Sequence, residues 1–308
     1  MRNPPPKLAC FALLWLVAAS STARDDTIER DWPHTGHGSV TIDNAFGSIT
    51  VIGWSNPRVQ LRGDIGSRGR LTMRSETETR LHIAVVADTS TTPRAPGPPT
   101  VESGDMEARL VLQVPHAVAL TVTSISADVQ VNGMRRAPIV AISTVSGDQE
   151  IDVNVRRARL KSISGDIHLR GAAPRATLSV ISGDVRLRDF AGGATISTVS
   201  GTLRIADASL GVLDIDSVSG DVRIAGAPAH HALWNIESLG GDIDLALPSL
   251  DRIAIVGNSF AGSIGHPVAT AQRGSAGTGK RLEFRPARRE ARVRFETFSG
   301  DVNIRAVP

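Results

Sequence analysis

A Ser-Gly-Asp motif recurs at nearly constant spacing through the last two thirds of the sequence. Successive copies are 20, 18, 18, 18, 19, 21, 21 and then 38 residues apart. Self-similarity at a fixed period of this length is the signature of a solenoid, in which each repeat forms one coil of a stack. Aligned on the glycine, the copies are centred on Ala127, Gly147, Gly165, Gly183, Gly201, Gly220, Gly241, Gly262 and Gly300.

Apolar residues hold four fixed positions around each motif: five and two residues before the glycine, and two and four residues after it. Apolar and polar residues alternate after the glycine, which indicates a β-strand. Each unit therefore predicts a strand, a bend at Ser-Gly-Asp and another strand. Stacking sets the coils about 4.8 Å apart, and we expect all four columns to lie inside one core. The column two residues before the glycine reads Ile125, Val145, Ile163, Ile181, Val199, Val218, Leu239, Phe260 and Phe298.

The period excludes other repeat architectures. Apolar residues do not recur every six residues from Ile167, as a hexapeptide β-helix requires, and no Gly-rich calcium-binding nonapeptide lies between the turns at Gly165 and Gly183. A β-propeller needs about 40 residues per blade. We predict an all-β chain: a single-stranded parallel β-solenoid of about 18–21 residues per coil with an N-terminal β cap. The crossover rule favours a right-handed coil.

The N-terminus has the layout of a secretory signal peptide. Arg2 and Lys7 precede an apolar run over residues 8–19, and small residues lead to a cleavage site after Ala23. Cleavage there would remove Cys10, the one cysteine, and leave 32 basic against 31 acidic residues. So balanced a charge indicates no nucleic-acid partner, and no later segment resembles a membrane span. The sequence predicts an exported protein, periplasmic, surface-associated or secreted.

Three regions follow. Residues 24–119 read as an N-terminal β region with a Pro-rich loop at 88–105, in which Gly47 begins an early copy of the corner. Residues 120–308 hold the solenoid repeats, with a loop interruption at about 266–292. Within it, residues 274–280 (GSAGTGK) resemble most of a P-loop, but Arg281 stands where the magnesium-binding Ser or Thr would follow. A loop is the favoured interpretation.

The position after the glycine is a column of short acceptors. A carboxylate ladder could bind calcium or supply acid–base pairs, whereas Asp in a turn accepts hydrogen bonds from nearby backbone amides. Thr202 and Ser263 share the column, and they offer an oxygen without a charge. We therefore predict a structural turn column made of Asp128, Asp148, Asp166, Asp184, Asp221, Asp242 and Asp301.

An outward column two residues further along holds His168, Arg186, Arg204 and Arg223. Stacked guanidiniums could form an anion-binding strip for glycan carboxylates or lipid phosphates. The alternative, which we favour, is a solvated face that the neighbouring Asp column partly neutralises. The eight histidines show no metal-ligand spacing, and the sequence predicts no cofactor and no metal site.

The sequence resembles a bacterial family of exported β-strand-repeat proteins, named putative adhesins and of unknown function. The residues that carry the resemblance are Gly47–Trp54 (GSITVIGW), the step at Leu112–Pro115 (LQVP) and the Thr-Val-Ser-Gly corners. What the resemblance implies is a non-catalytic surface or periplasmic module with no catalytic residues to carry over.

Three functions remain open. The first is an exported module that binds an envelope glycan, lipopolysaccharide or a protein partner. The second is a polysaccharide-active enzyme, for which Gln149 and Glu150 beside Asp148 and Asp166 are the candidates because Gln149 replaces an inward aliphatic residue. The third is a self-assembling module that pairs through an open coil ending at Pro308.

Overall fold

The protein is described by a computed structural model over residues 28–66, 69–87, 107–248, 250–273 and 279–307. Within these ranges it is all-β, with one short 3-10 turn at Leu250–Arg252 and no α-helix. The strands are β1 (Ile28–Pro33), β2 (Ser39–Trp54), β3 (Arg58–Asp64), β4 (Gly69–Thr77), β5 (Arg80–Ala87), β6 (Ala108–Pro115), β7 (Ala119–Arg135), β8 (Val140–Thr144), β9 (Gln149–Asn154), β10 (Arg157–Ser162), β11 (Ile167–Ser182), β12 (Val185–Ser200), β13 (Leu203–Ala206), β14 (Ser209–Ser217), β15 (Val222–Ala225), β16 (Pro228–Ser238), β17 (Ile243–Leu247), β18 (Ile253–Ser259), β19 (Ile264–Gly265), β20 (Gln272–Arg273), β21 (Lys280–Phe284), β22 (Ala291–Thr297) and β23 (Val302–Ala306).

Successive repeats pair in parallel and in register. Ile167 of β11 lies opposite Val185 of β12, which lies opposite Leu203 of β13. Equivalent positions therefore stack one above another, and the result is a solenoid-like stack of coils. One apolar core runs from Val40 to Ile304 through the stack, so burial of many small aliphatic side chains stabilises the fold.

Three of the four predicted apolar columns are buried, but the prediction for the column two residues before the glycine was wrong. Its nine members are 43% to 57% exposed. The reason is the two-residue period of a strand. The residue five positions before the glycine points inward, as Leu160 does. The residue three positions before the glycine must then also point inward, and the residue two positions before it must point outward. The inward residue three before the glycine is a Ser or Thr in most coils, as at Ser162, which is only 4% exposed.

The last coil is not at the end of the stack. Strand β22 pairs in parallel with β16 on one side and with β18 on the other, and β23 lies in the same way between β17 and β19. The earlier coil formed by β18 and β19 is thereby displaced outward, where β21 pairs antiparallel with β18. The coil expected to end open at Pro308 is therefore largely enclosed, because β22 has two neighbours and β23 has two at Val302 and Asn303. Pairing of its remaining edge with another chain stays a prediction.

At the N-terminal end of the stack, too, a strand has neighbours on both sides. Strand β2 pairs with β7 on one side, and with β5 and β6 on the other. Gly47 lies opposite Ala127, so the early corner is in register with the repeats. Antiparallel strands β3 and β4 then cover β6 and β5.

Several sequence predictions concern residues outside the described ranges. These are the signal peptide at 1–23, the Pro-rich loop at 88–105 and residues 274–278 of the P-loop-like stretch. Lys280, at the end of that stretch, begins β21. Among the described residues no helix has the length and apolar character needed to cross a membrane.

Candidate binding surface

A buried hydroxyl closes the corner in five of the coils. Ser162 Oγ accepts a hydrogen bond from the Gly165 N–H at 2.8 Å, and Ser124 Oγ accepts one from the Ala127 N–H at 2.9 Å. The same bond recurs at Ser217, Ser259 and Thr297. A buried amide without an acceptor costs about 1–3 kcal/mol, so these hydroxyls define the bend. The sequence analysis missed this column because small hydroxyl residues look like surface residues.

The predicted turn column forms a ladder between coils. In each case Oδ1 of one Asp accepts the backbone N–H of the equivalent residue in the next coil. Asp128 accepts from Asp148 at 3.0 Å, Asp148 from Asp166 at 2.9 Å and Asp166 from Asp184 at 2.8 Å. The ladder continues with Asp184 to Thr202, Asp221 to Asp242, Asp242 to Asp301 and Asp301 to Ser263. Each carboxylate therefore joins two coils.

Two carboxyls of the ladder have pKa values below the ordinary range. Burial favours the neutral form of Asp184, but hydrogen bonds from the Thr202 N–H and from Arg204, with the charge of Arg186, outweigh burial and lower its pKa. Hydrogen bonds from Ser263 lower the pKa of Asp301. The ionised form is thus the one that the corner stabilises.

The predicted arginine strip exists as a stack, but its guanidiniums are paired. His168, Arg186, Arg204 and Arg223 lie in register on successive coils. Arg186 contacts the carboxylates of Asp166 and Asp184, each at 3.0 Å, and Arg204 contacts Asp184 at 2.8 Å. Arg223 pairs with Asp221 at 2.9 Å. An incoming anion would have to compete with these carboxylates, because the turn column and the strip lie side by side.

The residues considered for catalysis are engaged in structural contacts. Gln149 is 1% exposed, and its side-chain nitrogen donates to Thr144 Oγ1 at 2.9 Å and to the Lys161 carbonyl at 2.7 Å. Asp148 Oδ1 accepts a hydrogen bond from the backbone N–H of Asp166. Glu150 accepts a long hydrogen bond, 3.4 Å, from Gln130. Gln149 therefore points into the core.

The misplaced apolar column forms the most unusual surface of the molecule. We call it the corner ridge: in spatial order, Ile125, Val145, Ile163, Ile181, Val199, Val218, Leu239, Phe298 and Phe260. Backbone hydrogen bonds connect its neighbours, for example from the Ser146 N–H to the Ile125 carbonyl at 2.7 Å. With nine coils about 4.8 Å apart, the ridge is roughly 38 Å long. Contiguous apolar surface of this extent marks interaction sites.

A groove runs beside the C-terminal half of the ridge, with a volume of about 870 Å³. Its apolar side is the ridge from Ile181 to Phe260, and its polar side includes the carboxylates of Asp216, Glu237 and Glu296. These three stand opposite one another on adjacent strands. Burial, with the charges of Asp214 and Glu237, raises the pKa of Asp216. The groove thus combines an apolar wall with a polar side that holds three carboxylates and the ammonium group of Lys280.

Metal-binding geometry is not found among the described residues, where no group of three or more His, Cys, Asp or Glu side chains converges. The candidate site is thus a surface made of the ridge, the groove and the adjoining sheet face.

Comparison with known proteins gives a family and a set of distant structures. The profile of the family described as Toastrack DUF4097 matches residues 38–305. A putative adhesin from Bacteroides fragilis has 11% identity and a TM-score of 0.43, over 92% of this chain and 98% of that one. A putative lipid binding protein from Parabacteroides distasonis has 11% identity and a TM-score of 0.39, over 92% and 98%. A putative cell adhesion protein from Clostridium sporogenes has 9% identity and a TM-score of 0.26, over 91% and 99%. No curated protein matches the sequence.

Proposed function

Since this chain belongs to the Toastrack DUF4097 family, which names a fold and no chemistry, we propose from its surface that it is a non-catalytic binding module of the bacterial envelope. The corner ridge is its contact surface. One observation carries the proposal: nine apolar side chains, each 43% to 57% exposed, lie in a row on consecutive coils. A protein with no use for such a row would place polar residues there, as this chain does at most other outward positions.

Local hydrogen bonding does not require apolar residues at this position. The corner is closed by the buried hydroxyl three before the glycine and by the carboxylate one after it. Any outward side chain would allow these bonds. The ridge residues therefore contribute little to their own coils, and contact with another molecule accounts for their apolar character.

The finer architecture is part of the same proposal. We take residues 120–308 as one right-handed single-stranded β-solenoid of about 18–21 residues per coil, capped by residues 24–119. Residues 1–23 are taken as the signal peptide that brings the protein to the periplasm or the cell surface. The in-register parallel pairs support the solenoid, and the charged start and small-residue exit of the N-terminus support export.

The proposal is tested by the accessibility of a ridge position in cells. Apart from Cys10 the sequence has no cysteine, so Val199→Cys introduces a reporter whose labelling by a maleimide is read by mass spectrometry. Ala191→Cys, exposed on another side of the coil, is the matched control. We expect Val199→Cys to be labelled in dilute purified protein and protected in intact cells, with Ala191→Cys labelled in both. Equal labelling of the two positions in cells would overturn the proposal.

The arginine strip offers the competing location for a site. Binding of lipopolysaccharide to the purified protein, measured at several salt concentrations, separates the two surfaces. We expect the Arg186→Ala, Arg204→Ala, Arg223→Ala triple variant to behave as the wild type, because each guanidinium is already paired. Salt-sensitive binding that the triple variant loses would move the site from the ridge to the strip.

A further inference from the structure

The sheet face that adjoins the corner ridge has opposite charges at its two ends. Outward residues on β10, together with Arg175 of β11, are basic, those on the middle coils are small and uncharged, and the outward carboxylates lie further along on β14, β16 and β22. Strand β22 also carries the outward Arg292 and Arg294. The register places them in continuous columns, as from Lys161 through Ser179 and Ser197 to Asp216 and Glu237. The basic end is Arg157, Arg159, Lys161 and Arg175; the middle is Thr177, Ser179, Thr195 and Ser197; the acidic end is Asp214, Asp216, Glu237 and Glu296.

The basic end has no ion pairs within the described part of the chain, and the acidic end is neutralised in part, by Arg294. None of the four basic side chains forms an ion pair there, and the same holds for Asp214, Asp216 and Glu237. At the acidic end Asn235 donates to Asp214 at 3.2 Å and to Glu237 at 3.1 Å, and Arg294 pairs with Glu296. Unpaired charge of both signs on one face therefore remains available to a partner.

The ridge and the charges share one centre. Val199 is the fifth of nine ridge residues in spatial order, and the uncharged middle of the face lies on the same coil, at Thr195 and Ser197. Consider a second copy related by a two-fold axis that passes through this coil, parallel to the strands and in the plane of contact. Each column of one copy then faces the same column of the other copy, with the order of the coils reversed. Ile163 then faces Leu239 of the second copy, and Lys161 faces Glu237. The interface is isologous, so each pairing occurs twice.

We propose that the partner of the corner ridge is a second copy of this chain, bound in this antiparallel arrangement. The inference rests on the proposed function, since it names the molecule that covers the ridge. Ridge packs on ridge, and Lys161 of each copy meets Glu237 of the other. A face roughly 38 Å long and 16 Å wide would bury about 600 Å² per copy, which is near the lower limit for a specific dimer. Complementary charges then fix the register more than they add affinity.

The test is a charge-swap cycle on the full-length protein, with the dissociation constant measured by sedimentation equilibrium. Glu237→Lys would set Lys against Lys161, and Lys161→Glu would set Glu against Glu237. We expect each single variant to weaken the dimer by about tenfold or more, and the double variant to return to within about threefold of wild type. Glu150→Lys, which makes the same charge change on another face, should leave the constant unchanged.

Two results would overturn the dimer. One is a protein that stays monomeric at all accessible concentrations. The other is a dimer whose constant does not respond to the swaps, which would place its interface elsewhere. A monomeric protein whose Val199→Cys variant is nevertheless protected in cells would refute the second copy as partner but leave the proposed binding function intact. A dimer in which the swap restores binding supports both.

Discussion

Phe260 and Phe298 stack face to face, with ring centroids 5.0 Å apart and ring planes within 9° of parallel, although 38 residues separate them in the sequence. They occupy the same ridge position in two neighbouring coils. Phe298 belongs to the last coil, which lies inside Phe260's coil in the stack. In chain order, the outer coil of β18 and β19 therefore comes first and β21 runs back along it. Strands β22 and β23 then fill the space between that outer coil and the coil of β16 and β17.

The inserted coil packs against its outer neighbour by placing a large side chain opposite a glycine. Gly257 lies opposite Phe295, and a Cβ on Gly257 would lie 2.5 Å from atoms of the Phe295 ring. We expect Gly257→Ala to lower the free energy of unfolding by about 1–3 kcal/mol through overpacking, as measured by urea denaturation.

A rescue distinguishes this clash from a general backbone effect. In a Phe295→Leu background the added methyl has more room, so Gly257→Ala should cost much less. Gly265→Ala, whose Cβ would have its nearest neighbour at 3.6 Å, should be close to neutral. An equal cost of Gly257→Ala in both backgrounds would contradict the packing argument.

The buried hydroxyl at the corner gives the second prediction. Ser162→Ala removes the acceptor of the Gly165 N–H and should lower the free energy of unfolding by about 1–3 kcal/mol. Ser162→Thr keeps the oxygen and should cost less, since Thr297 accepts the equivalent N–H, that of Gly300, at 3.1 Å. Ser164→Ala, on the exposed side of the corner, should stay within about 0.5 kcal/mol of wild type. Equal effects at Ser162 and Ser164 would show that the hydroxyl does not hold the bend.

Much of this architecture could be predicted from the sequence. The period located the corners, and the alternation after the glycine identified the inward columns at positions such as Ile167 and Leu169. The ridge was misplaced because apolar character was taken as a sign of burial. Counting by two from the buried Leu160 would have placed Ser162 inside and Ile163 outside. The apolar residue type at Ile163 contradicts the outward position that the strand period gives it, and such a conflict indicates a functional surface.

The order of the coils could not be predicted in this way. All parallel neighbours in the stack present similar apolar columns, so the sequence between Gly262 and Gly300 indicates an interruption without saying where the chain returns. Complementary volumes such as Gly257 and Phe295 select the neighbour, and that choice depends on three-dimensional packing. The ion pairs of the arginine strip follow more simply, because residues two apart on a strand point to the same side.

The contrast between inward and outward apolar positions gives the third prediction. Leu160 is fully buried, whereas Ile163 is 46% exposed. Leu160→Ala should cost about 2–5 kcal/mol of unfolding free energy, whereas Ile163→Ala should cost less than about 1 kcal/mol. The measurement is made at protein concentrations too low for self-association, so that only the monomer is compared. A large cost at Ile163 would mean that the ridge serves folding and would weaken its assignment as a contact surface.

The carboxylate ladder gives a prediction about pH. Asp184 accepts the Thr202 N–H at 2.8 Å and pairs with Arg204 and Arg186, and these contacts hold its pKa below the ordinary 3.8. A carboxyl whose pKa is lower in the folded chain than in the unfolded chain stabilises the fold above the unfolded value. That stabilisation is lost as the pH falls through the folded value. We therefore expect Asp184→Asn to lower the urea midpoint at pH 7.

The difference between wild type and Asp184→Asn should shrink as the pH falls below about 4, because the wild-type carboxyl then becomes neutral as well. Asp152→Asn removes the same charge from an exposed position and should change the midpoint little at any pH. The comparison also bears on the function of the column. A midpoint difference that depends on pH in this way ties Asp184 to the joining of coils, whereas one that stays constant down to pH 2 would mean that its charge contributes nothing to the stack.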